Sequence, residues 1–303
     1  MRIVSLLPSA TEISFALGLD AEIVGVTHEC DYPPAALAKP KITRSKASEH
    51  LSSAEIDMLV RSQLDETGSI YELDLEQLED LKPDIILTQR LCTVCAVSFD
   101  YVAEQAAKLS TRPKVINLEP RTFDEVLDSI IEVGMLAGKG DAAKNYVANL
   151  RIRAAEIGEE VKYLPKQRVL FLEWADPPFA SGHWIPELIE LAGGLNTKSF
   201  KHSPSRQISW QDVNDARAAI LILAECGFGV KRQLQDSKTL LKNLTYIPKE
   251  IWIADGSQYF SRPGPRLVES LEILSGILHS EIRGIYLDNF IRRKEVLCIH
   301  GNP

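Results

Sequence analysis

Apolar residues in the first 120 positions come in short runs rich in isoleucine and valine. Each run gives way to a stretch where apolar positions recur every three or four residues. The runs predict strands at 3–7, 23–26, 85–88 and 115–118; the longer period predicts helices at 11–17, 53–64, 75–81 and 99–109. The alternation returns later, with strands at 169–172, 220–223 and 251–254 and helices at 185–192, 231–241 and 267–278. Continuous apolar runs suit strands buried on both faces, as in a parallel sheet covered by helices. The expected fold class is therefore α/β, with one lobe over 1–122 and a similar one over 165–280.

Between them, residues 123–164 read as a bridging helical segment. Ala143, Val147, Leu150, Ala154, Ile157 and Val161 step by four and three, which gives one apolar stripe along a helix at 141–162. Asp141 follows Gly140 and is placed to cap it, and Pro165 closes the segment. At about 1.5 Å per residue the helix is a rod of roughly 30 Å, which would allow only a small hinge between the lobes. Residues 281–303 form a C-terminal extension, which can add a strand to either lobe or build a homodimer with a second copy.

Composition narrows the function. A net charge of −8 and the lack of a basic stripe argue against nucleic acid; Arg151 to Arg153 and Arg292 to Lys294 are short enough to be solvated faces. No run of about 18 apolar residues predicts membrane insertion. The opening residues start a buried strand without the basic, apolar and small-residue pattern of a leader. Five cysteines do not suggest a disulfide framework. A cytoplasmic location is expected, and a periplasmic one if the true start lies upstream of Met1.

In parallel α/β sheets, ligands bind beyond the carboxyl ends of the strands. The first lobe offers Ser9, Ala10, Thr11, His28, Glu29, Cys30, Gln89, Cys92 and Cys95 there. The second offers Glu173, Trp174, His183, Trp184, Glu225, Cys226, Tyr259, Phe260 and Arg262. Aromatic residues there suit a flat apolar ligand face, and an arginine suits a carboxylate or phosphate. Equally, a single tryptophan or histidine in such a place is often a packing residue. Cys92-x-x-Cys95, Cys30 and Cys226, with His28 and His183, are candidate zinc or iron ligands, and the CxxC pair is a candidate redox site. An enzyme or thiol redox protein thus stands as one reading and a small-molecule binder as the other. Walker, HExxH, GxSxG and first-strand GxGxxG patterns are missing.

LLPSATEI, THECDYP, LTQRLC, LEWADPPF, GHWIPELIELAGG and YFSRPGPR together resemble the cobalamin-binding members of the ABC-transporter substrate-binding proteins, over about residues 1–280. The resemblance implies two Rossmann-like lobes joined by one long helix and a ligand cleft between them. It also implies ligand contact at the strand-end residues just named, and no catalysis. Relatives of this type take corrinoids, iron-siderophores, haem or metal ions; a corrinoid is the ligand most favoured, with His28 or His183 able to ligate its cobalt. Docking on an ABC permease would use Glu76 in the first lobe. In the second it would use Gln211, where a carboxylate is usual, with Asp212 beside it as the substitute. That departure and the missing leader lean toward a soluble intracellular binder.

Overall fold

The structure is a computed structural model that describes residues 1–45, 51–67, 71–90, 97 and 99–301, with backbone alone for 63–67. The chain forms two compact units. The first is Met1–Pro120 with Val126–Val147, and the second is Arg121–Glu125 with Ala148–Pro303. The expected bridge is thus not a separate part, and residues 281–301 belong to the second unit.

In the first unit the order is β1 (Ile3–Ser5), α1 (Pro8–Ala16), β2 (Ile23–Val26), β3 (Thr43–Ser45), α2 (Ser53–Thr67), β4 (Tyr71–Leu73), α3 (Leu75–Leu81), β5 (Ile85–Thr88), α4 (Phe99–Ala106) and β6 (Lys114–Asn117). Four of these strands form a parallel sheet, β2-β1-β5-β6, with Ile3 level with Ile23 and Ile85. Val4, Leu6, Ile42, Leu78, Ile86 and Val102 fill one face. The pair β3–β4 is antiparallel and was not expected from the pattern. α1 starts three residues earlier than predicted. Leu7 is extended at its N-cap and Pro8 opens the first turn, where a missing N–H costs nothing. α3 is held by Asp74, whose side chain accepts from the Gln77 amide.

Helices α5 (Phe123–Leu136) and α6 (Gly140–Val161) each have residues in both units. α6 buries Ala143, Val147, Leu150, Ile157 and Val161, five of the six stripe positions. Asp141 lies inside its first turn.

The second unit continues with β7 (Gln167–Trp174), β8 (Phe179–Ala180), β9 (Gly182–His183), α7 (Ile185–Leu191), β10 (Gly194–Asn196), β11 (Phe200–Lys201), β12 (Arg206–Gln207), α8 (Trp210–Asp215), β13 (Ile220–Leu223), α9 (Val230–Asn243), β14 (Glu250–Ala254), α10 (Leu267–Leu278), α11 (Arg283–Tyr286), α12 (Asp288–Arg292) and β15 (Val296–His300). The sheet runs β12-β8-β7-β13-β14-β15, with β10 pairing the first residues of β7. β7, β13 and β14 are parallel and buried at 169–172, 220–223 and 251–254, which is why those stretches are apolar without alternation. β15, from the C-terminal extension, pairs antiparallel with β14, placing Leu297 opposite Ile253 and Cys298 opposite Trp252. α10 is buried on nearly every side; its Ser270 and Ser275 bond back to carbonyls one turn earlier. No helix of the described residues is long and apolar enough to cross a membrane.

One glycine fixes the turn after β14. A Cβ on Gly256 would stand 2.1 Å from the Glu225 carbonyl oxygen, which is backbone and cannot swing aside. Gly256→Ala should therefore destabilise the fold by about 1–3 kcal/mol, read as a lower midpoint in urea unfolding. An unchanged midpoint would show that the two chain segments are free to separate.

Candidate functional site

The carboxyl end of the first sheet is built mainly from the turn after β2 and the β3–β4 pair. The His28 amide and ring Nδ1 both lie against Thr43 Oγ1, at 3.1 and 2.8 Å. The ring packs on Tyr71 with centroids 5.3 Å apart, and Tyr71 donates from its hydroxyl to Glu29 Oε1 at 3.1 Å. Burial first, and then the charge of Lys41, hold the His28 pKa below its ordinary value, so the ring is neutral at neutral pH. Tyr71 and Thr43 were missed by sequence reasoning because β3 and β4 are three-residue strands without a strong period.

Several expected contact residues of this unit are interior instead. Ser9, Ala10 and Thr11 lie in the first turn of α1 and are buried. Thr11 donates to Ser5 Oγ at 2.9 Å and sits 3.1 Å from Cys30 Sγ, which is itself buried. These residues tie the first strand to the first helix. Gln89 is buried after β5. Its exposed neighbour Arg90 holds Asn117 Oδ1 through its amide and Asp100 through its guanidinium at 2.5 Å, and lies over the Phe99 ring. Cys92 and Cys95 lie outside the described residues.

In the second unit the parallel register brings Glu173, Glu225 and Asp255 to one edge of the sheet. The Ala224 amide donates to Leu172 O and the Cys226 amide to Glu173 O, so the ladder between β7 and β13 continues past the strand ends. Glu173 accepts from the Gly182 amide at 2.9 Å, which fastens the 174–182 loop at its far end. Trp174, half exposed, donates from its indole to Asp176 O at 3.1 Å and stacks on Phe228 at 5.2 Å and 31°. Arg232 covers the other part of Phe228 at 4.7 Å and is paired with Asp236 at 2.9 Å. Phe228 lies in the loop that the strand-end rule covers, whereas Arg232 and Asp236 were not among the sequence candidates. Their spacing of four, running onto α9, was the available signal.

Glu225 is the most unusual group. It is 0% exposed; Oε1 accepts from the Ala175 amide at 3.0 Å, while Oε2 has no hydrogen-bond partner among the described residues. Burial, and then the negative charge of Asp236, push its pKa up to about 8. It is therefore a neutral carboxylic acid through most of the physiological range. Gln233 completes the network. It accepts from the Glu225 amide and donates to the carbonyls of Phe228 and Ala254.

His183 sits at a left-handed φ of 51°, uncommon for a residue with a side chain, and is pinned by Ser203 O and the His202 amide. Burial and the Arg121 charge lower its pKa, and its Nε2 is buried with no hydrogen-bond partner among the described residues. It is a neutral ring with an unused polar atom.

Three of the expected aromatic contacts are corrected by the structure. Trp184 is buried and donates to Phe260 O at 3.1 Å; Phe260 is buried against Phe171 at 5.1 Å. Tyr259 is buried edge-on to Phe290 and donates to Glu295 Oε2 at 2.8 Å. All three pack the interior beneath the strand ends. Arg262 is also buried, donating to Ser257 Oγ at 3.1 Å, with Asp255 close enough to feel its charge. Cys226 is half exposed.

Among the described residues no group of three His, Cys, Asp or Glu side chains is placed to hold a metal ion. His28, Cys30, His183 and Cys226 therefore assemble no described metal centre. Glu76 is exposed in the first turn of α3, and Gln211 is exposed on α8, donating to Asp215. Asp212 is committed within the fold. It closes a capping box with Ser209 and pairs with Lys198, which hold its carboxylate at a pKa of about 2. A hollow of about 720 Å³ lies beside it, between Lys198, Phe200 and Ile208.

Comparison with known proteins identifies the lineage. Residues 3–245 match the family model described as Periplasmic binding protein, and the chain belongs to that family. The Vitamin B12-binding protein of Vibrio cholerae serotype O1 is 24% identical over 279 residues, covering 89% of this chain and 86% of that one. Among solved structures, the periplasmic Vitamin B12 binding protein BtuF of Vibrio cholerae aligns with a TM-score of 0.65 at 20% identity, over 91% of this chain and 96% of that one. A periplasmic heme binding protein from Pseudomonas aeruginosa aligns with a TM-score of 0.70 at 17% identity, over 92% of each chain. At these identities the structural likeness is one of fold.

The Glu225 environment has a measurable consequence for stability. An unfolded chain releases this proton near pH 4.5, whereas the fold keeps it to about 8. Between these values the folded chain binds one proton more, so Glu225 makes stability fall as pH rises through that window and has no further effect above it. Glu225→Gln keeps an acceptor for Ala175 and has no proton to lose. Its urea midpoint relative to the wild type should be higher at pH 8 than at pH 5. The same offset at both pH values would contradict a protonated Glu225.

Proposed function

We propose that this chain is a non-catalytic receptor for a corrinoid, held by the strand-end loops that present Trp174. The observation that carries this reading is Trp174. Its indole is partly exposed at the end of β7, held at its edge by the Asp176 carbonyl and backed by the tilted Phe228 ring. A fixed aromatic face set over a buried network in which Glu225 is neutral suits a large and largely uncharged ligand. Family membership and the vitamin B12-binding relatives, matched along nearly the whole chain, support the same class. Haem and iron-siderophores are the other ligands in that class. Zinc or iron bound through Cys92 and Cys95 is the enzymatic alternative.

On this reading the protein serves an ABC importer, presenting Glu76 from one unit and Gln211 from the other to the permease. Asp212 is spent on the α8 cap, so Gln211 is the outward polar group there. Five cysteines in a sequence that does not suggest a disulfide framework support a reducing, cytoplasmic compartment. Recovery of the protein from the periplasm by cell fractionation would overturn that part.

The ligand is tested by titrating aquocobalamin, haemin and a ferric siderophore into the purified protein and following tryptophan fluorescence and heat. Aquocobalamin should quench and bind. Trp174→Ala should weaken it by at least about tenfold, about 1.4 kcal/mol, with little loss of stability. Trp184→Ala, in contrast, should lower the unfolding midpoint because that ring is interior. Binding of only haemin or the siderophore would change the ligand. Stoichiometric zinc or iron that is lost on Cys92→Ser would favour the enzymatic alternative.

A further inference from the structure

Six residues, Trp174 among them, form a closed circuit at the partly exposed Trp174 loop. Trp174 stacks on Phe228, Phe228 lies under Arg232, and Arg232 is paired with Asp236. Asp236 faces the Glu225 carboxyl, and Glu225 Oε1 accepts from the amide of Ala175, the residue after Trp174. Glu225 joins the α9 side of the circuit to the Trp174 loop through the Ala175 amide. It is wholly buried, and its second oxygen has no hydrogen-bond partner among the described residues.

We propose that Glu225 is the positioning residue for the Trp174 loop, and that loss of its proton loosens the loop and weakens ligand binding in alkaline medium. The binding half of this proposal rests on the receptor reading above; the positioning half does not. Each group facing Glu225 bears on the outcome. On α9, Asp236 repels a second negative charge, while Arg232 attracts one but is already engaged with Asp236. On the β7 side, the Ala175 amide is the single donor, and Glu173 is turned away to the Gly182 amide. On the β14 side, Asp255 is turned to Gln258, which bonds both of its oxygens. An ionised Glu225 therefore sits opposite an existing carboxylate, dry, with one amide to stabilise it. The fold keeps the group neutral to about pH 8. Above that pH, the relief open to it is for the 174–178 loop to part and admit water.

His183 titrates on the acid side of its ordinary range, so it does not enter this window. The test uses the full chain labelled with 5-fluorotryptophan, without ligand, by fluorine NMR from pH 6 to 10. The chain has four tryptophans, and Trp174→Phe assigns the resonance of interest. In the wild type the Trp174 signal should shift or broaden with a midpoint near the Glu225 value. In Glu225→Gln it should stay at its low-pH position throughout. In Asp236→Asn the midpoint should fall by a unit or more, because the repelling charge is gone and Arg232 is released toward Glu225. Cys226→Ser should retain the wild-type titration; if that variant abolishes it, the thiol is the titrating group and the proposal is overturned. A wild-type signal indifferent to pH, or a Glu225→Gln signal that titrates like the wild type, overturns it as well.

Aquocobalamin binding at pH 6.5 and 9.5 then separates the two halves. The wild type should lose at least about fivefold in affinity and Glu225→Gln should lose none. A titrating Trp174 in a protein that binds no aquocobalamin at either pH supports the positioning role and sinks the receptor reading. Equal affinities at the two pH values sink the binding half.

Discussion

The second unit depends on one shared register. β7, β13 and β14 are parallel and in step, with Leu172, Leu223 and Ile253 side by side. β13 stops at that level, β14 ends at Ala254 and β7 runs on to Trp174, so the chain passes the same end of the sheet at all three strands. Glu173, Glu225 and Asp255 are then forced onto one edge of the sheet. Three carboxylates so placed would repel one another unless each found its own compensation. Glu173 takes the Gly182 amide, Asp255 caps the turn at Gln258, and Glu225 keeps its proton. The loops that present Trp174 and His183 follow from how those three acids are satisfied.

The same compensation links stability to function. A buried neutral acid is tolerated where a buried charge is not, and it holds the Ala175 amide without a counter-ion. The cation that could have paired with it, Arg232, is drawn to Asp236 and left to lie over Phe228. That in turn gives Trp174 a rigid backing. Beneath this layer, Trp184, Tyr259 and Phe260 fill the interior, each with its polar atom or carbonyl bonded. The loop can therefore be rich in aromatic residues while offering only one of its tryptophans to solvent.

Much of this fold was legible in the sequence. β5, β13, α3 and α10 fall at the residues where apolar period placed them, because their surroundings ask for nothing beyond burial. The start of α1 was not, since Pro8-Ser9 reads as a turn until Leu7 is seen to cap a helix. The strand-end rule named whole loops and could not tell inward from outward side chains. Trp174 and Trp184 have the same type and loop, and only the tertiary fold makes one half exposed and the other core. β15 carries a five-residue apolar-rich run that the pattern allowed as a strand, without saying which edge it would join. Phe228 fell within a strand-end loop, but Arg232 and Asp236 went unseen because charged residues on a helix ordinarily read as a solvated face. Their partners, Trp174 and Glu225, are 54 and 11 positions away from Phe228 and Asp236, as their numbers give directly.

The central claim is that the carboxyl edge of the second sheet is a ligand face. Backbone hydrogen exchange with and without aquocobalamin tests it most directly. The account predicts slower exchange confined to the strand-end segments of the second unit, above all at 174–184 and 226–229. The outer helices α8 and α12 should be unaffected. Protection centred on those helices, or on the β14–β15 edge, with the strand ends unchanged would contradict it.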